Sequence, residues 1–186
     1  MQHRATPPLS THALEVGYGE RRILEPADLN FAPASLSVLL GANGSGKSTL
    51  LNALARQLPI RSGQVLLHGR AIHQLPSRTL AQQLGLLPQS PLLPESMSVF
   101  DLVSFGRHPH QSWLHQWSDA DRTAVENALR LTGTLDFAER AVDSLSGGQR
   151  PRCWSAMALA QETQVNLLDE PTTYLDLKYQ VEIMEL

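Results

Sequence analysis

Gly41-Ala42-Asn43-Gly44-Ser45-Gly46-Lys47-Ser48 constrains this chain more than any other stretch. It fits G-x-x-x-x-G-K-[ST], a phosphate-binding loop that requires a strand before it and a helix after it. Its glycines let backbone N–H groups close around phosphate oxygens that a side chain would hold off. The positive end of the following helix faces the same anion. Lys47 can reach β- and γ-phosphates, and the Ser48 hydroxyl can ligate Mg²⁺. The flanks meet the requirement: residues 35–40 read as a strand, and Leu50, Leu51, Leu54, Ala55 and Leu58 follow at helical spacing. A nucleotide site is expected here.

Val165-Asn166-Leu167-Leu168-Asp169-Glu170 is an apolar strand ending in two carboxylates. Ligands of open parallel sheets gather at the carboxyl ends of strands. Asp169 is therefore placed to hold Mg²⁺ through water, and Glu170 to take a proton from an attacking water as general base. Asn166 would need hydrogen-bond partners in such a strand. Ahead of it, Leu145-Ser146-Gly147-Gly148-Gln149 sets small residues at a helix start, a second anion site built from backbone N–H groups and the Ser146 hydroxyl. One nucleotide does not need two such sites from one chain. Two copies facing head-to-tail would each lay the Ser146 loop over the other's phosphate.

The rest of the chain reads as α/β. Residues 13–18, 63–67, 84–87 and 165–168 read as strands, a turn falls at His68-Gly69, and 79–83 reads as a short helix. Residues 91–144 change character and read as helix after helix, with Ser118 and Asp121 in the positions of a capping box ahead of Val125, Ala128, Leu129 and Leu131. One more helix carries Ala156, Met157 and Ala160. Strands alternating with helices imply a mainly parallel sheet covered on both faces. With 186 residues this is one domain: 1–90 and 145–186 form an α/β core, and 91–144 a helical insert. A net charge of −3 excludes a chain-wide electrostatic footprint for nucleic acid. The single cysteine, Cys153, excludes an internal disulfide, and no run approaches the ~20 apolar residues that cross a bilayer. The chain reads as soluble and cytosolic, with any membrane role supplied by a partner.

In this order, the three motifs resemble the ATP-binding subunits of ABC transporters, whose signature is the LSGGQ of residues 145–149. The resemblance covers essentially the whole chain. It implies a P-loop NTPase core with an N-terminal antiparallel β subdomain and an inserted helical subdomain. It implies ATP and Mg²⁺ as ligands, with nucleotide contacts at Tyr18, Gly41, Asn43, Gly44, Ser45, Gly46, Lys47, Ser48 and Thr49, Tyr18 stacking on adenine. Ser146, Gly147, Gly148 and Gln149 would meet the opposite subunit's ATP, and Asp176 would lie at the dimer interface. Gln89, after Leu86-Leu87-Pro88, matches the glutamine that joins Glu170 in catalysis and joins Ser48 and Asp169 at the metal. The runs 106–110, 117–121, 156–161 and 169–177 are similar to the ferric-siderophore, haem and cobalamin importer branch. That implies transport-coupled ATP hydrolysis at the cytoplasmic side of the inner membrane, in a peripheral complex with transmembrane permease subunits and, indirectly, a substrate-binding protein. His108, His110 and His115 lack carboxylate or thiolate company and are not expected to bind iron.

Two features depart from the family pattern. No histidine follows His115, so the switch histidine that relatives carry beyond Asp176 is missing, as are later strands, which would leave a sheet edge uncovered. The chain therefore reads as truncated at its C-terminus, and robust hydrolysis is not expected of it. Pro151 stands where relatives usually carry Gln. A helix starting at Ser146 would lose a hydrogen bond there, whereas a start near Gly148 would tolerate it. The alternatives are a soluble ABC-type ATPase acting on nucleic acid or ribosomes, and a chain that binds nucleotide without turnover. The short spacing between Lys47 and Ser146 and the single cassette speak against the first.

Overall fold

Leu9, Leu14 and Val16 are fully buried along the first strand, β1 (Leu9–Tyr18). β1 pairs antiparallel with β2 (Arg21–Ala27), β3 (Asn30–Phe31) and β4 (Ser62–Leu67), and β4 with β5 (Arg70–Ala71), giving the order β2-β1-β4-β5. The β4–β5 turn is His68-Gly69, both at positive φ (48° and 76°), as a two-residue type I′ hairpin loop requires. The computed structural model describes residues 6–89, 96–112 and 116–169. It divides into two compact units, Met1–Leu80 and Ala81–Leu186.

Two kinds of expectation change here, helix bounds and one strand. The helix after the phosphate loop, α1 (Lys47–Leu54), buries Leu50, Leu51 and Leu54 but stops short of Leu58. Arg56 turns left-handed (φ 59°), with Arg56 N–H donating to Ala53 O and Gln57 N–H to Asn52 O, a Schellman stop. The side chain explains an arginine in a conformation suited to glycine, because its guanidinium donates to Ile72 O, Leu75 O and Ser77 Oγ. The short helix α2 spans Ser77–Ala81, two residues earlier than its sequence signal.

The second change concerns residues 35–40, which form no strand. Leu36, Val38 and Leu40, the alternate apolar positions, are 68%, 65% and 89% exposed. Their pattern is strand-competent, but a strand exists only where a neighbour satisfies its backbone N–H and C=O groups, and no described strand pairs with this segment.

In the second unit β6 (Leu84–Leu87) and β7 (Val165–Leu168) run parallel, Leu84 opposite Val165 and Leu87 opposite Leu168. Asn166 is exposed on β7 and accepts a hydrogen bond from Thr163 Oγ1 at 2.8 Å, so its polarity conflicts with nothing. Three helices, α3 (Val99–Ser104), α4 (Asp119–Leu131) and α5 (Gln149–Ala160), enclose Val99, Leu102, Val103, Val125, Leu129, Val142 and Cys153. The predicted capping box is present: the Ser118 hydroxyl accepts from Asp121 N–H, and the Asp121 carboxylate from Ser118 N–H. Between residues 96 and 144 the described residues form helices and 3-10 turns, with no strand beyond an isolated Ser98–Ala141 bridge.

Arg107 binds this unit together from the inside. Its side chain is almost fully buried; Nε donates to Asp121 Oδ1 at 2.9 Å, and Nη1 to Ala160 O at 2.7 Å and Glu162 Oε2 at 2.8 Å. The start of α4 and the end of α5 are thus tied to one guanidinium. Asp121 feels its burial, which raises its pKa, but the Ser118 hydrogen bonds and the Arg107 charge outweigh that and hold it below its ordinary value.

Candidate functional site

The phosphate loop leads into the helix its sequence demands, α1, although residues 35–40 before it form no strand. Gly44 (φ 80°) and Gly46 (φ 96°) occupy left-handed conformations that other residues rarely adopt. A Cβ on Gly46 would lie 2.7 Å from Ile23 Cγ2, and one on Gly41 would lie 2.6 Å from Ser45 Oγ. Gly46 is the N-cap of α1 and offers no side chain to the first helical N–H groups, which stay directed at whatever anion approaches. Ser45 N–H closes the loop on Ala42 O at 3.1 Å. Lys47 Nζ donates to the carbonyls of Gly41 (2.9 Å) and Ala42 (3.1 Å), which holds the ammonium across the loop's mouth. Ser48 and Thr49 follow on the first turn of α1, half-buried.

Tyr18 lies in the same unit, at the end of β1, and is 53% exposed. Its hairpin turns at Gly19 (φ 52°) and returns as β2, whose Ile23 is the residue against Gly46. The strand that follows the aromatic therefore packs on the glycine that caps the phosphate-loop helix.

The second unit presents the other candidates. β6 and β7 end side by side, and Asp169 N–H donates to Leu87 O at 3.0 Å. Asp169, buried, and Gln89, exposed, thus leave the carboxyl ends of paired parallel strands. Ser146, Gly147 and Gly148 are exposed, while Leu145 before them is buried in the helical core. α5 begins at Gln149 with Gly148 as N-cap, and the Gln149 side chain accepts the Ser146 N–H at 3.1 Å. Pro151 is then the third residue of α5, within the first turn where proline is tolerated, although Arg150 N–H already donates to Ser146 O (3.2 Å) one turn ahead. Glu170 and Asp176 lie outside the described residues, as does His115. His108 meets the Phe105 ring edge-on at 4.7 Å, and His110 Nε2 lies 2.8 Å from Gln161 O.

Sequence reading missed Arg107. A hint was available, since the last carbonyls of α5 need donors and a cation serves them best. Ser48 in the first unit offers a hydroxyl, and Gln89 and Asp169 in the second an amide carbonyl and a carboxylate, each an oxygen donor of the kind a hard cation such as Mg²⁺ accepts.

Residues 24–173 match the protein family described as ABC transporter. Among curated relatives, "Probable siderophore transport system ATP-binding protein YusV" of Bacillus subtilis is 53% identical over 96% of this chain and 65% of its own length. The iron(3+)-hydroxamate import ATP-binding protein FhuC of B. subtilis is 47% identical (96% of this chain, 66% of its own). The ferric enterobactin transport ATP-binding protein FepC of Escherichia coli is 42% identical (93% and 64%). The chain thus spans just under two thirds of the length of these relatives. Among solved structures, cbiO1 from Clostridium perfringens, part of the ABC transporter complex cbiONQ, superposes with a TM-score of 0.80 at 30% identity, over 97% of this chain and 72% of that one. A nucleotide-free ATP-binding cassette from an ABC transporter gives 0.81 at 22% identity (95% and 74%), a likeness of fold. The fold is the α/β cassette of P-loop NTPases.

Proposed function

The chain belongs to the ABC transporter family, and from that premise we propose that it binds and hydrolyses ATP to energise an importer of iron(III)–siderophore complexes. The observation that carries this reading is the phosphate loop: left-handed Gly44 and Gly46, an open α1 N-terminus and the Lys47 ammonium at one mouth. Residues 1–90 and 145–186 act as the α/β core and 91–144 as the helical subdomain.

In this mechanism the loop's N–H groups, from Gly41 through Thr49, take the phosphate oxygens. Lys47 exchanges two neutral carbonyls for the β- and γ-phosphates, a stronger charge-assisted pairing. Tyr18 stacks on adenine, with Asn43 and Ser45 completing the contacts. Ser48, Gln89 and Asp169 would hold Mg²⁺, which would supply charge neutralisation to the bound phosphates. Gln89 orients the attacking water and Glu170 accepts its proton. Ser146, Gly147, Gly148 and Gln149 serve the ATP of a second, head-to-tail copy, with Asp176 at that interface. A pair of permease subunits, fed by a substrate-binding protein, receives the motion. No helix among the described residues is long and apolar enough to cross a membrane, and the subunit works peripherally, on the cytoplasmic face of the inner membrane.

Calorimetric titration with Mg-ATP tests the nucleotide site: binding is expected, and Lys47→Ala should weaken it by about 10- to 100-fold. Light scattering of a Glu170→Gln variant tests the clamp, with a dimer expected in saturating Mg-ATP; a monomer there rejects the head-to-tail arrangement. Reconstitution with siderophore permeases, read as ATP-dependent uptake of labelled iron, tests the substrate class.

A further inference from the structure

We propose that Arg61, held in place by Glu15, is a positioning residue that fixes the Tyr18 hairpin for stacking on the nucleotide base. This rests on the reading of Tyr18 as the adenine platform.

Tyr18 is held through its backbone, paired with Arg21 across the hairpin, and its side chain has little packing. Its ring is half-exposed, and β1 is irregular on its approach, with register shifts between Leu14 and Val16 and between Val16 and Gly17. The buried Leu14 and Val16 hold the body of the strand, not its tip. What reaches the tip is a polar lattice rooted one strand away. Glu15 is opposite Ser62 in the β1–β4 ladder, and Arg61 N–H donates to Glu15 O at 2.9 Å. The Glu15 carboxylate then gathers three donors: Arg22 Nε at 2.9 Å and Arg61 Nε at 3.1 Å on Oε1, and Ser62 Oγ at 3.2 Å on Oε2. With its Nε so fixed, Arg61 extends Nη1 to the carbonyl of Gly19, the turn residue directly after Tyr18. Arg22, on the returning strand, is also clamped to Glu25 at 2.9 Å.

Glu15 is suited to this task. Its side chain is only 13% exposed. That burial raises its pKa, but the Ser62 hydroxyl and the Arg22 and Arg61 guanidiniums more than compensate, keeping it ionised at neutral pH. The brace orders the turn before any base arrives, so the ordering cost is not charged against binding.

The test titrates the full chain and its variants with Mg-ATP and with Mg-tripolyphosphate, which occupies a phosphate loop but has no base. Arg61→Ala should weaken Mg-ATP by about 3- to 10-fold while leaving tripolyphosphate within about twofold. Arg61→Lys should recover part of the loss, and Glu15→Gln should show a smaller loss in the same direction, which carries the test if Arg61→Ala does not fold. In a Tyr18→Ala background, Arg61→Ala should add nothing. Equal weakening of both ligands, an unchanged ATP affinity, or a full effect without Tyr18 overturns the brace. If the unaltered chain binds neither ligand, the nucleotide site itself is wrong, a result distinct from an ATP-binding chain indifferent to Arg61.

Discussion

The two glycine-rich helix starts of this molecule look alike in sequence and differ in what their glycines are for. In the loop at 41–46, Gly44 and Gly46 have positive φ, and Cβ atoms on Gly41 and Gly46 would run into Ser45 and Ile23. The chain's own backbone and packing demand glycine there. At 147–148 neither residue has positive φ, Gly148 sits at φ −82°, and among the described residues nothing lies within 4 Å of a Cβ at either position. Nothing in the chain itself requires glycine at these two positions. What such a surface offers is close approach to exposed backbone from outside, which is the use the proposed head-to-tail clamp would make of it. The carriers differ too. The first loop follows an irregular, exposed segment, whereas the second is rooted by buried Leu145 on a helix whose far end is gripped by Arg107.

If that contrast is right, the largest loss comes from the carrier of the second loop. Arg107→Ala leaves Asp121 buried without its ionic partner and should destabilise the chain by about 3–5 kcal/mol in chemical denaturation. The same pair sets an acid dependence. Because folding lowers the Asp121 pKa below its ordinary 3.8, its contribution is complete above that value and drains away as pH falls through the folded pKa. An Asp121→Asn variant should lose stability at neutral pH and show a shallower acid limb than the unaltered chain.

Gly46→Ala is expected to cost about 1–3 kcal/mol through the left-handed backbone and the Ile23 contact, and to weaken Mg-ATP binding. Gly147→Ala should stay within about 0.5 kcal/mol in thermal unfolding, yet impair the Mg-ATP-dependent dimer seen by light scattering. A melting shift at Gly147 as large as that at Gly46 would erase the distinction. The smallest effect belongs to Pro151→Gln: at the third position of α5 it should leave stability within about 0.5 kcal/mol, and a gain near the ~3 kcal/mol of an interior proline would move the helix start back to Ser146.

Much of this was legible in the residues because the deciding interactions are local. The Ser118–Asp121 box and the His68-Gly69 turn depend on neighbours a few positions away. Where distant partners decide, the reading failed. Periodicity carried α1 to Leu58, but Arg56 finds its acceptors at Ile72, Leu75 and Ser77 and turns the chain early. The polarity of Asn166 looked like a burial problem only because the exposure of β7 was not yet known.

Sequence by itself determined the phosphate loop and the order of the motifs, since glycine and lysine act through the backbone beside them, whereas the expected mainly parallel sheet is met among the described strands only by β6 and β7. Tertiary structure alone decided that residues 35–40 lie outside the described sheets, and that Arg107 and Arg61 each hold segments far apart in the chain. Strand membership and buried ion pairs are relations between segments, and no single segment carries the identity of its partner.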